Sequence, residues 1–149
     1  MIIGVSACLL GKNCRYDGTS KPNETVIALK DNHTLVPFCP EVMAGLSIPH
    51  PANEIQTTAP LLKVIDTEGA DNTNAFCNGA QKALSRLQKA QVDAVILKSK
   101  SPSCGVGEIY DGSFSKTLVP GNGVAAQAII DAGITVTTEK DLSLFEQDL

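Results

Sequence analysis

Five short, mostly apolar runs, each closed by polar residues, glycine or proline, set the strongest limit on how this chain folds. Such bounded runs are typical of buried strands. Stretches with helical spacing lie between them, and strands that alternate with helices favour a mainly parallel sheet. The predicted strands are Ile2 to Ala7, Leu35 to Phe38, Leu61 to Ile65, Ala94 to Leu97 and Ile134 to Thr138.

Several helices are predicted between and after these strands. The clearest runs from Asn72 to Ala90, where apolar residues recur at helical spacing and form one face. A second is predicted from Gly123 to Ala132, with Asn122 as N-cap and Gly133 as its stop. Asp141 is predicted to cap a short terminal helix. The apolar face of the first helix contains Phe76, Ala80, Ala83, Leu84 and Leu87.

One further segment, Glu108 to Ser115, carries Asp111-Gly112 between two β-like arms, which predicts a hairpin. With 149 residues and 43% apolar side chains, the chain can bury a core of its own. The predicted fold is therefore α/β: a single domain, residues 1–149, with a mainly parallel sheet flanked by helices and a short β-hairpin.

Charge and composition exclude several classes of partner. The net charge is −4, only two residues are arginine, and 4% are aromatic. Duplex binding depends on basic contacts to phosphates and single-strand binding on aromatic platforms, so no nucleic-acid partner is expected. No apolar run approaches the ~20 residues that span a bilayer. The start, Met1 to Gly4, lacks the charged region of a secretory signal, so no membrane contact and a cytoplasmic location are expected.

Three of the five cysteines follow the ends of predicted strands. Cys8 follows the first strand, Cys39 the second, and Cys104 lies a few residues beyond the strand that ends at Leu97. The carboxyl ends of parallel strands meet at one edge of a sheet, where ligands bind. We therefore expect these thiols to converge, and we interpret them as a shared metal or cluster site rather than as small core residues.

The residues alone leave the type of metal site open. No Cys-x-x-Cys clamp occurs in the chain. Cys14, His33 or His50 could complete a closed zinc site, whereas three thiolates with an open position are typical of a catalytic metal or a [4Fe-4S] cluster. Cys14 is either a fourth ligand or a supporting thiol. Cys77, inside the long helix on its apolar side, is predicted to be a core residue.

Polar residues beside the cysteines indicate proton chemistry. Glu41 stands two residues after Cys39, and a carboxylate in a dehydrated pocket can act as general acid or base. Its alternative role is a favourable charge in the first turn of a helix. Ser101 precedes Pro102 near Cys104, and its alternative role is a turn or capping residue.

Two lysines and one glycine-rich run give weaker indications of function. Lys98 and Lys100 are predicted to be solvated. The run Gly121 to Gly123, ahead of a helix, could hold an anion at the helix N-terminus, although it lacks the full phosphate-loop pattern.

Five motifs of the chain, taken in order, resemble those of a bacterial family. They are Val5-Ser-Ala-Cys8-Leu-Leu-Gly-Lys-Asn-Cys14-Arg-Tyr-Asp-Gly18, Pro37-Phe-Cys39-Pro-Glu41-Val, Lys100-Ser-Pro-Ser-Cys104-Gly105, Ile109-Tyr-Asp-Gly112 and Gly121-Asn-Gly-Val124. Together they resemble the family that contains the thiouracil desulfurases, or desulfidases, and the resemblance runs across nearly the whole chain.

The resemblance implies a desulfurase with a [4Fe-4S] cluster that has three cysteine ligands and one open iron. The implied ligands are Cys8, Cys39 and Cys104, and the implied catalytic residues are Glu41 and Ser101. The implied substrates are a thiolated pyrimidine base, nucleoside or nucleotide, such as thiouracil, 4-thiouridine or 4-thio-UMP. In this reaction the substrate sulfur binds the open iron, and Glu41 handles protons for the attack of water. The products are the oxo compound and hydrosulfide, without redox chemistry.

One departure from the family pattern concerns the substrate. The family often has Gly-Gly-Leu and then Pro-Arg, whereas this chain has Ala44-Gly45-Leu46 and then Pro49-His50. If the usual arginine orients the substrate or a phosphate, His50 does so less reliably, and the resemblance then leaves the substrate preference open. Two other hypotheses use the same cysteines without needing Glu41 or Ser101: a non-catalytic module that senses metal or redox state, and a carrier that stores sulfur on the open iron.

Overall fold

Four of the apolar segments form one parallel sheet in the computed structural model, which describes residues 1–57 and 61–148. The strands are β1 (Ile2–Ser6), β2 (Thr34–Phe38), β5 (Ala94–Leu97) and β8 (Val136–Thr138). Their order across the sheet is β2-β1-β5-β8, and every neighbouring pair is parallel. The predicted α/β class and the mainly parallel sheet are confirmed.

Helices cover both faces of this sheet. They are α1 (Glu24–Ala28), α2 (Pro40–Met43), α3 (Thr73–Lys89) and α4 (Val124–Asp131), and 3-10 helices span Ala7–Leu10, Leu29–Asp31 and Ser143–Asp148. The amphipathic segment predicted from residue 72 to 90 is α3. None of the helices within residues 1–57 and 61–148 has the length and apolar character needed to cross a membrane.

The two faces of the sheet bury separate cores because side chains alternate along each strand. Ile3 and Val5 of β1 pack with Val26 of α1 and with Phe145 on one face. On the other face, Val95 and Leu97 of β5 pack against apolar residues of the longest helices. Those helix residues are Ala83 and Leu87 of α3 and Ala126 and Ile129 of α4.

The helix ends differ from the predictions in one case. Gly123, not Asn122, is the N-cap of α4, because the Asn122 side chain accepts the Gly107 N–H at 2.8 Å instead. The cap predicted at Asp141 is present, since its carboxylate accepts the Ser143 N–H at 3.1 Å ahead of the last 3-10 helix.

One predicted strand lies outside the parallel sheet. The segment predicted from Leu61 to Ile65 forms β4 (Lys63–Asp66), which pairs antiparallel with β3 (Asn53–Thr57). Leu61 itself is 73% exposed. The strand β3 is absent from the sequence predictions, since its residues are mostly polar and give no apolar run.

The predicted hairpin is present with a different second arm. Its strands are β6 (Glu108–Tyr110) and β7 (Leu118–Pro120), which pair antiparallel. Asp111-Gly112 therefore begins a longer connection, residues 111–117, and does not form a two-residue turn. We call this connection the hairpin loop.

Candidate active site

The three thiols that follow strand ends line one cavity. Cys8 lies in the 3-10 helix directly after β1, Cys39 directly follows β2, and Cys104 lies in the loop after β5. These strands are neighbours in a parallel sheet, so their carboxyl ends share an edge. The cavity at this edge has a volume of about 570 Å³, and Cys14 also lines it. The three thiols therefore share one cavity, and their role as ligands of one site stays a prediction.

Of the four thiols that line the cavity, Cys39 is the most easily ionised. It is the N-cap of α2, whose first residue is Pro40. A hydrogen bond from the Cys14 thiol, assisted by the backbone N–H groups of Val42 and Glu41, lowers the pKa of Cys39 to about 7. The same pairing raises the pKa of Cys14. When protonated, the Cys39 thiol donates to the Cys14 carbonyl, with Sγ and O 3.6 Å apart.

Cys8 and Cys104 are buried neutral thiols. Burial raises the pKa of Cys8 to about 11 and that of Cys104 to about 12. A metal that binds these thiols must displace their protons, so its binding is coupled to proton release. Cys77 does not line the cavity; it lies on α3 and is half-buried.

The loop that carries Cys104 is held by its own serine. The Ser101 Oγ accepts the N–H groups of Ser103, at 3.1 Å, and of Cys104, at 3.0 Å. This is the turn-capping role stated as the alternative for Ser101. The side chain of Ser101 also lines the cavity, so the two roles are compatible.

The first N–H groups of α4 hold the same loop from the other side. Val124 donates to the Pro102 carbonyl at 2.9 Å, and Ala125 donates to the Ser103 carbonyl at 2.9 Å. Gly123 donates to Gly105 at 2.8 Å. The anion site predicted at residues 121–123 is therefore wrong: these donors position the Cys104 loop and are already engaged.

Glu41 is held in the cavity wall by two side chains from other segments. The Ser103 hydroxyl donates to Glu41 Oε2 at 3.0 Å, and Ser103 is 2% exposed. His50 Nε2 lies 3.3 Å from Glu41 Oε1. Glu41 also stands in the first turn of α2, as the alternative role required. Glu41 therefore occupies both the first turn of α2 and the wall of the cavity.

Helix α2 reaches this position because α3 lets it approach closely. A Cβ on Gly79 of α3 would lie 2.2 Å from the Pro40 carbonyl oxygen and 2.9 Å from the Ala44 Cβ. Only glycine permits that contact without displacing α2. The packing of α2 on α3 thus sets the depth of Cys39 and Glu41 in the cavity.

The imidazole of His50 shares one proton with Glu41. Its Nδ1 lies 2.8 Å from the Pro51 carbonyl oxygen, which can only accept, so Nδ1 carries a hydrogen. The contact between Nε2 and the carboxylate then requires one more proton, held by one partner or the other. The hydrogen bond to Glu41, opposed by burial, raises the pKa of His50 above its ordinary value.

This shift predicts a pH dependence of stability. A raised His50 pKa stabilises the folded chain fully below the unfolded pKa of about 6.5, and this contribution is lost as pH rises through the folded pKa. We expect the free energy of unfolding of the metal-free protein, measured with urea under anaerobic reducing conditions, to exceed that of His50→Gln most at slightly acidic pH, and this difference to shrink towards slightly alkaline pH. The comparison with the variant removes the opposite contribution of Cys39, whose pKa is lowered to about 7. A difference that does not change with pH would contradict the pairing.

Basic side chains surround the cavity. Five of them line it: Arg15, Lys21, Lys98, Lys100 and Lys116. The prediction that Lys98 is solvated is wrong, because its Nζ lies 3.0 Å from Glu139 Oε2. Glu139, just after β8, also accepts the Ser99 N–H at 2.8 Å. This carboxylate fastens the end of β5 ahead of the Cys104 loop.

The donor set fits an iron–sulfur cluster. Iron–sulfur clusters are held by cysteine thiolates, and the cavity offers four thiols, three of which follow the ends of neighbouring strands. Its volume of about 570 Å³ lies within the range of small-molecule sites. Within the described ranges 1–57 and 61–148, no three His, Cys, Asp or Glu side chains are grouped as a ready site for one metal ion.

Sequence reasoning missed two partners of Glu41. Ser103 lies 62 positions from it along the chain, and His50 follows a cis peptide bond between Ile48 and Pro49. The signal for Ser103 was its place beside Cys104. His50 was noted as a possible zinc ligand and for standing where arginine is usual, and neither observation indicated contact with Glu41.

Comparison with known proteins gives three matches. The model of the family described as 2-thiouracil desulfurase matches residues 3–141. An uncharacterized protein of Bacillus subtilis (strain 168), YbbK, is 38% identical over 148 residues, which are 95% of this chain and 98% of that protein. A solved structure described as the [4Fe-4S]-dependent thiouracil desulfidase TudS has a TM-score of 0.87 at 38% identity, over 95% of this chain and 93% of that one.

Proposed function

The chain belongs to the 2-thiouracil desulfurase family and is a [4Fe-4S]-dependent thiouracil desulfidase; from this premise we propose which of its residues hold the cluster and move protons. The proposed ligands are Cys8, Cys39 and Cys104. Their support is the single cavity that all three line at the edge of the parallel sheet. The proposal places the whole activity in one domain, residues 1–149.

The proposed substrates are thiolated pyrimidines: thiouracil, 4-thiouridine or 4-thio-UMP. When bound, the cluster supplies an open iron that accepts a soft thiocarbonyl sulfur and polarises the carbon–sulfur bond. The five basic side chains of the cavity favour an anionic or polar substrate. The volume of the cavity is that of a small-molecule site, so the proposal includes no nucleic-acid partner.

Glu41 is proposed to carry the proton of the attacking water. Water replaces the sulfur at the ring carbon, so the product is the oxo pyrimidine, and the sulfur leaves as hydrosulfide without any change of oxidation state. The Ser103 hydroxyl and His50 hold the two oxygens of Glu41 in the cavity wall. The proton that the pair shares lies on His50 when Glu41 accepts a proton from water, so His50 holds Glu41 as a carboxylate that is ready to act as the base.

Ser101 is proposed to act beside Glu41. Its hydroxyl lies 2.9 Å from the Ser103 hydroxyl, so a continuous line of hydroxyls leads from the cavity to the carboxylate. Ser101 thereby orients the substrate or the water while it also caps the turn that carries Cys104.

The placement of Glu41 favours this enzyme over a sensor or a sulfur carrier. Neither alternative needs a carboxylate aimed into the thiol-lined cavity and held there by two other side chains. The proposed location is the cytoplasm, where thiols stay reduced and can be loaded with a cluster.

The experiment that tests the function is turnover of the reconstituted protein. The chain is loaded anaerobically with iron and sulfide and incubated with 2-thiouracil, 4-thiouracil and 4-thio-UMP. We expect sulfide release that matches the loss of thiocarbonyl absorbance and that depends on the cluster. A fully loaded cluster without turnover on any of these compounds would shift the assignment to the carrier or sensor.

A further inference from the structure

The hairpin loop, residues 111–117, forms one wall of the cavity. Phe114 and Lys116 of this loop line the cavity together with Tyr110 at the end of β6. Phe114 has φ of 57° and Lys116 has φ of 62°, so both adopt a left-handed conformation that side-chain-bearing residues rarely take. A loop with two such residues needs contacts that impose this shape.

Glu54 of β3 supplies such contacts to the first half of the loop. Its Oε1 accepts the N–H of Gly112 at 2.9 Å and the N–H of Phe114 at 3.2 Å. Glu54 is 9% exposed, and it lies in the cavity wall. A buried carboxylate oxygen that accepts two backbone N–H groups forms charge-assisted bonds, which are stronger than neutral ones.

The loop also packs directly on the backbone of β3. A Cβ on Gly112 would lie 2.8 Å from the Gln56 Cα and 2.9 Å from the Ile55 carbonyl oxygen, and Gly112 has φ of +93°. Gln56 adds one bond, from its Nε2 to the Gly112 carbonyl at 3.2 Å. The first half of the loop is therefore fixed to β3 by Glu54 and Gln56.

The other side-chain hydrogen bonds of the loop stay within it. Ser113 donates to the Asp111 carboxylate at 2.5 Å, and Ser115 lies 2.8 Å from the Thr117 hydroxyl. These bonds shape the exposed rim but do not anchor it. Among the described residues, Glu54 and Gln56 provide the side-chain hydrogen bonds from the body of the protein to this loop.

We propose that Glu54 is a positioning residue, which fixes the hairpin loop so that Phe114 forms an aromatic wall for the pyrimidine ring of the substrate. Flat aromatic groups pack favourably against each other, and a rigid wall lowers the entropy lost when the ring binds. This inference rests on the proposed function, since it names the wall of the same cavity. It assigns to Glu54 no proton transfer, only the acceptance of two backbone N–H bonds.

The first test separates acceptance of hydrogen bonds from acid–base chemistry. Both N–H groups bind the same oxygen of Glu54, so the amide oxygen of Glu54→Gln can accept both, whereas Glu54→Ala removes the acceptor. With reconstituted holoenzyme and 4-thiouracil, we expect Glu54→Ala to raise KM about tenfold, the order of effect of losing a buried hydrogen bond to a charged group. Glu54→Gln should restore KM to near the wild-type value, with kcat kept.

The matched control is Glu108→Ala. Glu108 lies on β6 of the same hairpin and is exposed, so its removal should leave KM unchanged. A Glu54→Gln enzyme as impaired as Glu54→Ala, or a Glu54→Ala enzyme with wild-type KM, would overturn the proposal.

The second test asks whether Glu54 acts through Phe114. If it does, the effects of Glu54→Ala and Phe114→Ala on KM are not multiplicative, and the double variant resembles Phe114→Ala alone. Multiplicative effects would overturn the proposal, because they would mean that the two residues act independently.

A third readout does not depend on turnover. Hydrogen exchange of the holoenzyme, followed by mass spectrometry, should show faster exchange across residues 110–117 in Glu54→Ala but not in Glu54→Gln or Glu108→Ala. Unchanged exchange in Glu54→Ala would refute the loop attachment. A wild-type enzyme without turnover would instead refute the proposed function and with it the substrate wall, while the exchange result still decides whether Glu54 fixes the loop.

Discussion

Cys39→Ala is expected to abolish both cluster binding and desulfuration, and Cys8→Ala and Cys104→Ala should do the same. Each thiol comes from the end of a different strand, so each variant removes one of the three proposed ligands. The loss of bound iron should exceed the ~10-fold to 100-fold cost in metal affinity of changing a residue next to a ligand. The measurement is iron and sulfide per chain after anaerobic reconstitution, together with the visible absorption of the cluster.

Cys77→Ala is the matched control for these variants. Cys77 lies on α3, outside the residues that line the cavity, so this variant should bind the cluster normally. Cys14→Ala should also retain the cluster, because we assign Cys14 to supporting the Cys39 thiolate. A cluster that survives Cys104→Ala but is lost in Cys14→Ala would replace Cys104 by Cys14 in the ligand set.

Glu41→Gln is expected to keep the cluster and lose turnover. Glutamine preserves the size of the side chain and its contacts with Ser103 and His50, but it cannot accept a proton from water. We expect kcat to fall by about 10² to 10⁴, the usual contribution of a general acid or base. Sulfide release under substrate saturation measures this, with the cluster absorption recorded on the same sample.

The matched control is Glu24→Gln. Glu24 occupies the first turn of α1, as Glu41 occupies that of α2, but it is exposed and lies away from the cavity. If the role of Glu41 were only to interact with a helix N-terminus, both variants would remain active and lose little stability. Normal turnover by Glu41→Gln would reject its assignment as proton carrier.

The sequence was sufficient to predict the sheet edge at which the thiols meet. Apolar runs such as Ala94 to Leu97 are short, bounded and fully buried, and they leave little choice but central parallel strands. Once the strands are parallel, Cys8, Cys39 and Cys104 must project from one edge. That part of the site follows from periodicity and sheet geometry alone.

The partners of Glu41 could not be predicted in the same way. Contacts between Glu41, Ser103 and His50 join segments that are distant in sequence and irregular in structure. They depend on the depth of α2, which is set by its close approach to Gly79. Neither the spacing of apolar residues nor the local turn preferences of the sequence predicts how close Glu41 lies to Ser103 and His50.

The wall of the cavity that contains Glu54 and the hairpin loop could not be predicted for a different reason. Strand β3, residues Asn53 to Thr57, is mostly polar, so no apolar run marks it. When β3 is missing from the prediction, nothing indicates a role for Glu54, and Asp111-Gly112 is interpreted as a tight turn. The longer hairpin loop is possible only because β3 provides acceptors and backbone for it to pack on.

The dispersal of the thiols over three strands has a consequence for how the protein is made. A Cys-x-x-Cys loop can capture metal as soon as it leaves the ribosome, whereas Cys8 must wait until β5 and α4 have been synthesised and packed. With the proposed ligands, the complete set of thiols for the cluster exists only after the sheet edge has formed. In the folded protein without a cluster, Cys8 and Cys104 stay protonated in buried positions, which makes them poor targets for oxidants.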